Sequence, residues 1–213
     1  MQDTEIATII SSRICHDLVS PVGAVVNGID LIREIGAGDV QDELRMISQS
    51  ASRASSLLQF YRIAFGAAAT RDAPISRRVL QCQAGQMIAS PRIALDWPDT
   101  AGPSLTRMEA RLLFQILMCA RAIVGMRGAI QISLAPEASF PMTVAIYPHG
   151  NGHGGPAELN RDMIELIQSP GHPDALAPRL VEFALVSTSS MALGVELKLD
   201  ETGEGVELVA DRP

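Results

Sequence analysis

The chain has 213 residues, 47% of them apolar and only 4% aromatic, with a formal charge of −7. That length suits two small domains with an aliphatic core, and the negative balance excludes the basic stripe of a nucleic-acid surface. No uninterrupted apolar run reaches the roughly eighteen residues of a membrane span, and "MQDTEIATII" lacks the basic start of a signal peptide, so a cytoplasmic protein is expected. Cys15, Cys82 and Cys119 are odd in number and form no C-x-x-C pair, which suits reduced thiols acting as small buried apolar groups.

The first predicted helix runs from about Asp3 to Ile35 and the second starts after "GAGD", with Gly36 as C-cap and Asp39 as N-cap. The second carries Val40, Leu44, Ile47, Ala51, Ala54, Leu58, Tyr61 and Phe65 at alternating steps of four and three, a heptad seam. So short a loop makes the helices antiparallel neighbours. A two-helix hairpin is marginal alone. Its apolar seam calls either for a second copy, giving a dimeric four-helix bundle, or for packing on the rest of the chain.

On a helical wheel Ile14, Leu18, Val22, Val25, Ile29 and Ile32 gather on one side of the first helix. His16 falls nearly opposite, flanked by Ser12, Ser20, Gly23 and Asn27, so an outside surface can approach its imidazole. Pro21 removes the partner of the Asp17 carbonyl at a cost of about 3 kcal/mol, and a bend is expected there. A neutral imidazole is a nucleophile near neutral pH, and a neighbouring carboxylate can orient the ring or accept a proton. Asp17 can equally be a solvated surface acid.

After "GAAATRDAP" the pattern changes. A helix is expected over Ile75 to Ala89 with Ser76 as cap, then a short strand Arg92 to Trp97. A long apolar helix starts near Thr106, where Glu109 completes a capping box. "GAIQISLAPEASFPMTVAIYP" reads as two strands, "GPAELNRDMIELIQ" and "DALAPRLVEFALVSTSSMA" as helices, and "GVELKLDETGEGVELVA" as a hairpin turning at "TGEG". Helices gathered among antiparallel strands predict an α+β sandwich over residues 71–213, following the helical hairpin of residues 1–70.

"SRICHDLVSPVGAVVNG" is similar to the phosphoacceptor box of two-component histidine kinases, H-[ED]-x-x-[STN]-P, and more closely resembles ChpT-type histidine phosphotransferases of alphaproteobacteria. Val19 departs from the kinase box, which often carries a basic residue there. The resemblance implies a hairpin followed by a degenerate kinase ATP-binding fold, with His16 as phosphoacceptor and Asp17 as its helper. It implies a receiver-docking surface of Ser12, Ser20, Pro21, Gly23 and Asn27, and a dimer seam of Val40, Leu44, Ile47, Ala51, Ala54 and Leu58. The implied partners are the receiver of a CckA-like hybrid kinase and CtrA- and CpdR-like regulators, whose receivers would supply Mg²⁺.

Kinases hold ATP through a helical Asn and a D-x-G-x-G loop. The matching positions here are Arg121 and "PHGNG", with Pro148 replacing the aspartate and Gly150 and Gly152 kept. Proline can neither act as a carboxylate nor read adenine, so no ATP binding and no resident cofactor are expected. His149 and His153 sit in a glycine-rich loop with only the remote His172 to join them, a poor metal site. Three other readings stay open: a working kinase with a rearranged ATP site, a docking module that transfers nothing, and a metal module on the "HGNGH" loop.

Overall fold

In the computed structural model, the described residues are 3–36, 38–66, 74–88, 90–98, 101–148, 159, 161–168 and 180–213. They fall into two compact units, Gln2–Arg62 and Ile63–Pro213.

The first unit is the helical hairpin. Helix α1 spans Asp3–Ile35, with Pro21 inside it; α2 spans Gln41–Phe65. Gly36 adopts φ +67° and returns its N–H to the Ile32 carbonyl, which ends α1 in the left-handed turn that only glycine takes without strain. The Asp39 carboxylate accepts from the Gln41 N–H at 3.1 Å and starts α2. By length and composition α1 is apolar enough over Thr4–Ile35 to cross a bilayer, a weak signal that helices of soluble bundles also give.

The second unit follows the expected order: α3 (Arg77–Ile88), β1 (Ile93–Asp96), α4 (Arg107–Val124), β2 (Gly128–Leu134), β3 (Met142–Pro148), α5 (Arg161–Gln168), α6 (Val181–Leu193), β4 (Glu196–Glu201) and β5 (Val206–Asp211). The sheet order is β1-β2-β3-β5-β4. One pairing differs from the all-antiparallel expectation, since β1 lies parallel to β2. The chain between them crosses back through α4, and a crossover of that length is what a parallel pair requires. Alternate residues of β2, β4 and β5 are buried, and Ile130, Ile132, Val144, Ile146, Leu197, Leu199, Leu208 and Ala210 form the sheet's share of the core. Helix α4 packs on α6 and β3, and its Leu112, Leu113, Phe114, Ile116 and Leu117 are fully buried. The edge strand β4 turns Glu196, Lys198 and Asp200 to solvent, which discourages pairing with a foreign strand. Cys119 is buried as expected, whereas Cys15 and Cys82 are exposed.

Local chemistry secures this unit at two points. Thr106 and Glu109 form the reciprocal capping box at the start of α4. Arg77 is a buried clip: its Nη1 donates to the Ala101 carbonyl at 2.9 Å, its Nη2 to those of Ala135 and Ala138 at 2.7 Å, and its Nε to that of Pro103 at 3.2 Å. Two loops distant in sequence are thereby tied to α3. Gly102 belongs to the same device, because its φ is +105° and a Cβ there would lie 2.9 Å from the Arg77 Cζ and 2.3 Å from the Pro136 carbonyl oxygen.

Arg77→Met removes the four hydrogen bonds of a buried guanidinium that ties two loops to α3, so a loss of about 3 kcal/mol is expected in denaturant unfolding. Thr106→Ala, which removes one side of the capping box, is expected to cost about 1 kcal/mol in the same measurement.

Candidate functional site

The site is built on α1 by the choice of its inward face. Pro21 and Gly28 are both buried, and a Cβ on Gly28 would lie 2.6 Å from the Ile47 Cγ1 of α2. The helices therefore approach closely at Gly28. The stripe of α1 facing α2 runs through Asp17, Pro21, Val25, Gly28 and Ile32, at helical steps of four and three. This corrects the wheel drawn from the largest apolar residues. Val22 is 51% exposed and Ile29 is also exposed, so these two lie outside the hairpin contact. The inward stripe is centred on the small residues, because close packing of two helices selects volume before hydrophobicity.

His16 lies outward on this rotated face, its side chain 88% exposed. Ser12, Ser20 and Asn27 are exposed beside it, and Gly23 has open space where a Cβ would be. Pro21 does not belong with them: it is buried on the hairpin face, so it cannot be touched by a docking protein as the sequence suggested.

Asp17 joins the two faces. Its Oδ1 lies 3.1 Å from the Nδ1 of His16, its Oδ2 accepts a hydrogen bond from the Tyr61 hydroxyl, and Arg13 Nε stands 4.0 Å from the same Oδ2. The Asp17 side chain is only 28% exposed. A carboxylate can only accept, so in a neutral ring this contact favours the tautomer with the proton on Nδ1, in which Nε2 carries the lone pair. Tyr61 is buried in α2, with its ring edge-on to Phe60. Its role escaped the sequence reading, which counted it only as an apolar seam member. A hydroxyl inside an aliphatic seam was the available signal, since a buried tyrosine needs a partner for its O–H.

The heptad seam of α2 divides in two. Ile47 meets α1 at Gly28, Tyr61 meets it at Asp17, and Ala54, midway between them at the same heptad position, is half-buried. Ile47 therefore serves the contact within the hairpin, and Ala54 shares its side of α2. Leu44, Ala51 and Leu58, also seven apart, remain exposed, Leu58 by 52%. Val40 precedes α2, half-buried, and its carbonyl accepts from the Leu44 N–H at 3.0 Å.

In the second unit, Arg121 sits in the last turn of α4, and its Nη1 donates to the Gly125 carbonyl at 2.7 Å. The guanidinium thus caps the helix's own C-terminus, where orphan carbonyls favour a cation. Pro148 ends β3, paired with Gly128. Gly150 and Gly152, and with them His149, His153 and His172, lie outside the described residues. Among the described residues no three His, Cys, Asp or Glu side chains gather to hold a metal.

Residues 79–205 match the histidine phosphotransferase C-terminal domain family. Protein phosphotransferase ChpT from Brucella abortus (strain 2308) is 33% identical over 140 residues, which span 66% of this chain and 66% of that protein, just under two thirds of its length. A solved bacterial phosphotransferase aligns over 99% of this chain and 98% of its own with a TM-score of 0.72 at 22% identity, a likeness of fold. The histidine kinase domain of the blue-light-activated kinase from Erythrobacter litoralis EL346 aligns over 99% and 93% at 15% identity, with a TM-score of 0.45.

Tyr61 makes a prediction of its own. Burial, and then the hydrogen bond and charge of Asp17, raise its hydroxyl pKa well above the ordinary 10.0. The folded chain keeps this proton where the unfolded chain loses it, so the contribution is complete below pH 10 and declines as pH rises above that value. Denaturation midpoints are expected to fall above pH 10, and to fall less for Tyr61→Phe. An equal fall in both proteins would dismiss the contribution.

Proposed function

The chain belongs to the histidine phosphotransferase family, whose C-terminal domain it carries at residues 79–205, and on that premise we propose that it relays phosphoryl groups through His16. The observation that carries this reading is the outward ring of His16 with its Nδ1 engaged by Asp17 and its Nε2 left open. Such a ring is a nucleophile that a foreign aspartyl phosphate can reach in line.

In the transfer, Nε2 attacks the phosphorus held on a receiver aspartate. The N–P bond forms as the P–O bond breaks, and the bonding pair leaves on the receiver's carboxylate. The ring gains positive charge, which the Asp17 carboxylate offsets. The reverse sequence passes the group to a second receiver aspartate. The family's chemistry needs Mg²⁺ to neutralise the phosphoryl oxygens, and the receivers' acidic pockets are its proposed source. The proposed donor is the receiver of a CckA-like hybrid kinase, and the proposed acceptors are CtrA- and CpdR-like response regulators in the cytoplasm. Ser12, Ser20, Gly23 and Asn27 suit the docking surface because Ser12, Ser20 and Asn27 are exposed on the His16-bearing helix and Gly23 has open space beside it.

This reading assigns the chain no ATP chemistry. Support comes from Arg121, whose guanidinium is engaged at the end of α4, and from Pro148, which has no group to read adenine. It also assigns a homodimer. Leu44, Ala51 and Leu58 of α2 leave an apolar stripe exposed, and Val22, Val26 and Ile29 leave another on α1. A second hairpin across a two-fold axis would cover such stripes in a four-helix bundle.

Incubation with a phosphorylated receiver domain is expected to place acid-labile, base-stable label on the wild type and none on His16→Ala, with an unchanged circular dichroism spectrum because an outward ring leaves no cavity. Label acquired from ATP alone would instead make the protein a kinase. Leu58→Asp is expected to convert the dimer to monomer in analytical ultracentrifugation. Ile47→Asp, whose charge would lie inside the hairpin, is expected to lower the melting temperature as well.

A further inference from the structure

We infer that Tyr61 is a positioning residue for phosphoryl transfer, acting on His16 through Asp17. This rests on the relay reading of His16 and adds a second helix to its machinery. The chain of contacts is Tyr61 hydroxyl to Asp17 Oδ2, then Asp17 Oδ1 to His16 Nδ1. Each end has a different task. Tyr61 is buried and cannot follow solvent, so its hydroxyl is a fixed donor on α2. His16 is almost fully exposed, and its Nδ1 lies 3.1 Å from Asp17 Oδ1. An exposed imidazole would otherwise rotate among rotamers and exchange its proton between the two nitrogens.

The carboxylate transmits the constraint because it offers one oxygen to each partner. With Oδ2 held by Tyr61, Oδ1 is aimed at the ring, and the tautomer with Nδ1–H is selected. Nε2 then carries the lone pair in every molecule of the population, in one direction relative to α1. Arg13, whose Nε lies 4.0 Å from Oδ2, adds a positive charge on the same side of the carboxylate. In the transfer step the Nδ1 proton stays between the ring and Asp17 Oδ1 while the phosphorus bonds to Nε2. Tyr61 keeps its own proton throughout and exchanges no electrons. This is the arrangement by which an outer partner tunes a histidine without touching the reacting atom, and losing such a partner typically costs tenfold or more.

The test is a double-mutant cycle on the full chain with Tyr61→Phe, Asp17→Asn and both together, read by single-turnover transfer from a phosphorylated receiver. Tyr61→Phe alone is expected to slow transfer about tenfold. In the Asp17→Asn background it is expected to change the rate by less than about twofold, since two residues acting through one contact are not additive. Equal slowing in both backgrounds, or wild-type transfer by Tyr61→Phe, overturns the inference. Nitrogen NMR of the histidine rings, with His16 assigned from His16→Ala, supplies a readout that needs no phosphoryl donor. The wild type is expected to show Nδ1–H at His16, and Tyr61→Phe a mixture of tautomers. An unchanged tautomer also overturns the inference. Asp17→Asn, which leaves the tyrosine ring packed, is expected to give the same mixture; if it keeps Nδ1–H alone, the inference is overturned even where Tyr61→Phe folds poorly. A wild type that accepts no phosphoryl group would sink the relay reading, while the tautomer comparison still settles whether Tyr61 sets the ring.

Discussion

The hairpin depends on the hydrogen bond between the Tyr61 hydroxyl and the Asp17 carboxylate. A carboxylate on the inner face of a helix pair has to be partnered or it costs free energy, and here the partner comes from the opposite helix. The bond therefore sets the rotation of α1 about its own axis. With Asp17 turned inward, the neighbouring His16, one residue or about 100° further round, must turn outward. The exposed nucleophile and the half-buried acid are two consequences of a single rotational setting. Gly28, a few turns on, sustains the same setting by letting the Ile47 side chain press against the backbone of α1.

That rotation has a cost elsewhere. Turning Pro21 and Gly28 inward leaves Val19, Val22, Val26 and Ile29 of α1 facing water, while α2 exposes Leu44 and Leu58. Each such side chain gives up part of the roughly 1.5–3 kcal/mol that full burial of a large apolar side chain contributes. The hairpin accordingly spends small residues on its inner contact and keeps larger ones for its outer surface. This is the distribution expected of half a bundle, and the proposed two-fold partner follows from it.

The second unit is stabilised by independent means. Its sheet and α4 form an aliphatic core, the capping box starts α4, and Arg77 ties two loops to α3. At the other end of α4 the Arg121 guanidinium returns to its own helix terminus.

By itself the sequence determined the element order, the hairpin, the capping box at Thr106 and Glu109, the turn at "TGEG" and the outward placement of His16. These are properties of short stretches: periodicity of 3.6 or 2, and capping chemistry acting over three or four residues. The parallel pairing of β1 with β2, the clip made by Arg77, the burial of Pro21, the division of the α2 seam and the bond from Tyr61 to Asp17 were decided only by tertiary structure. Each joins residues far apart along the chain; Asp17 and Tyr61 are 44 positions apart. Periodicity finds a helix's apolar side but weighs residues by hydrophobicity. Packing selects them by shape and by partners, so the wheel misplaced the true contact face by favouring Val22 and Ile29 over Pro21 and Gly28.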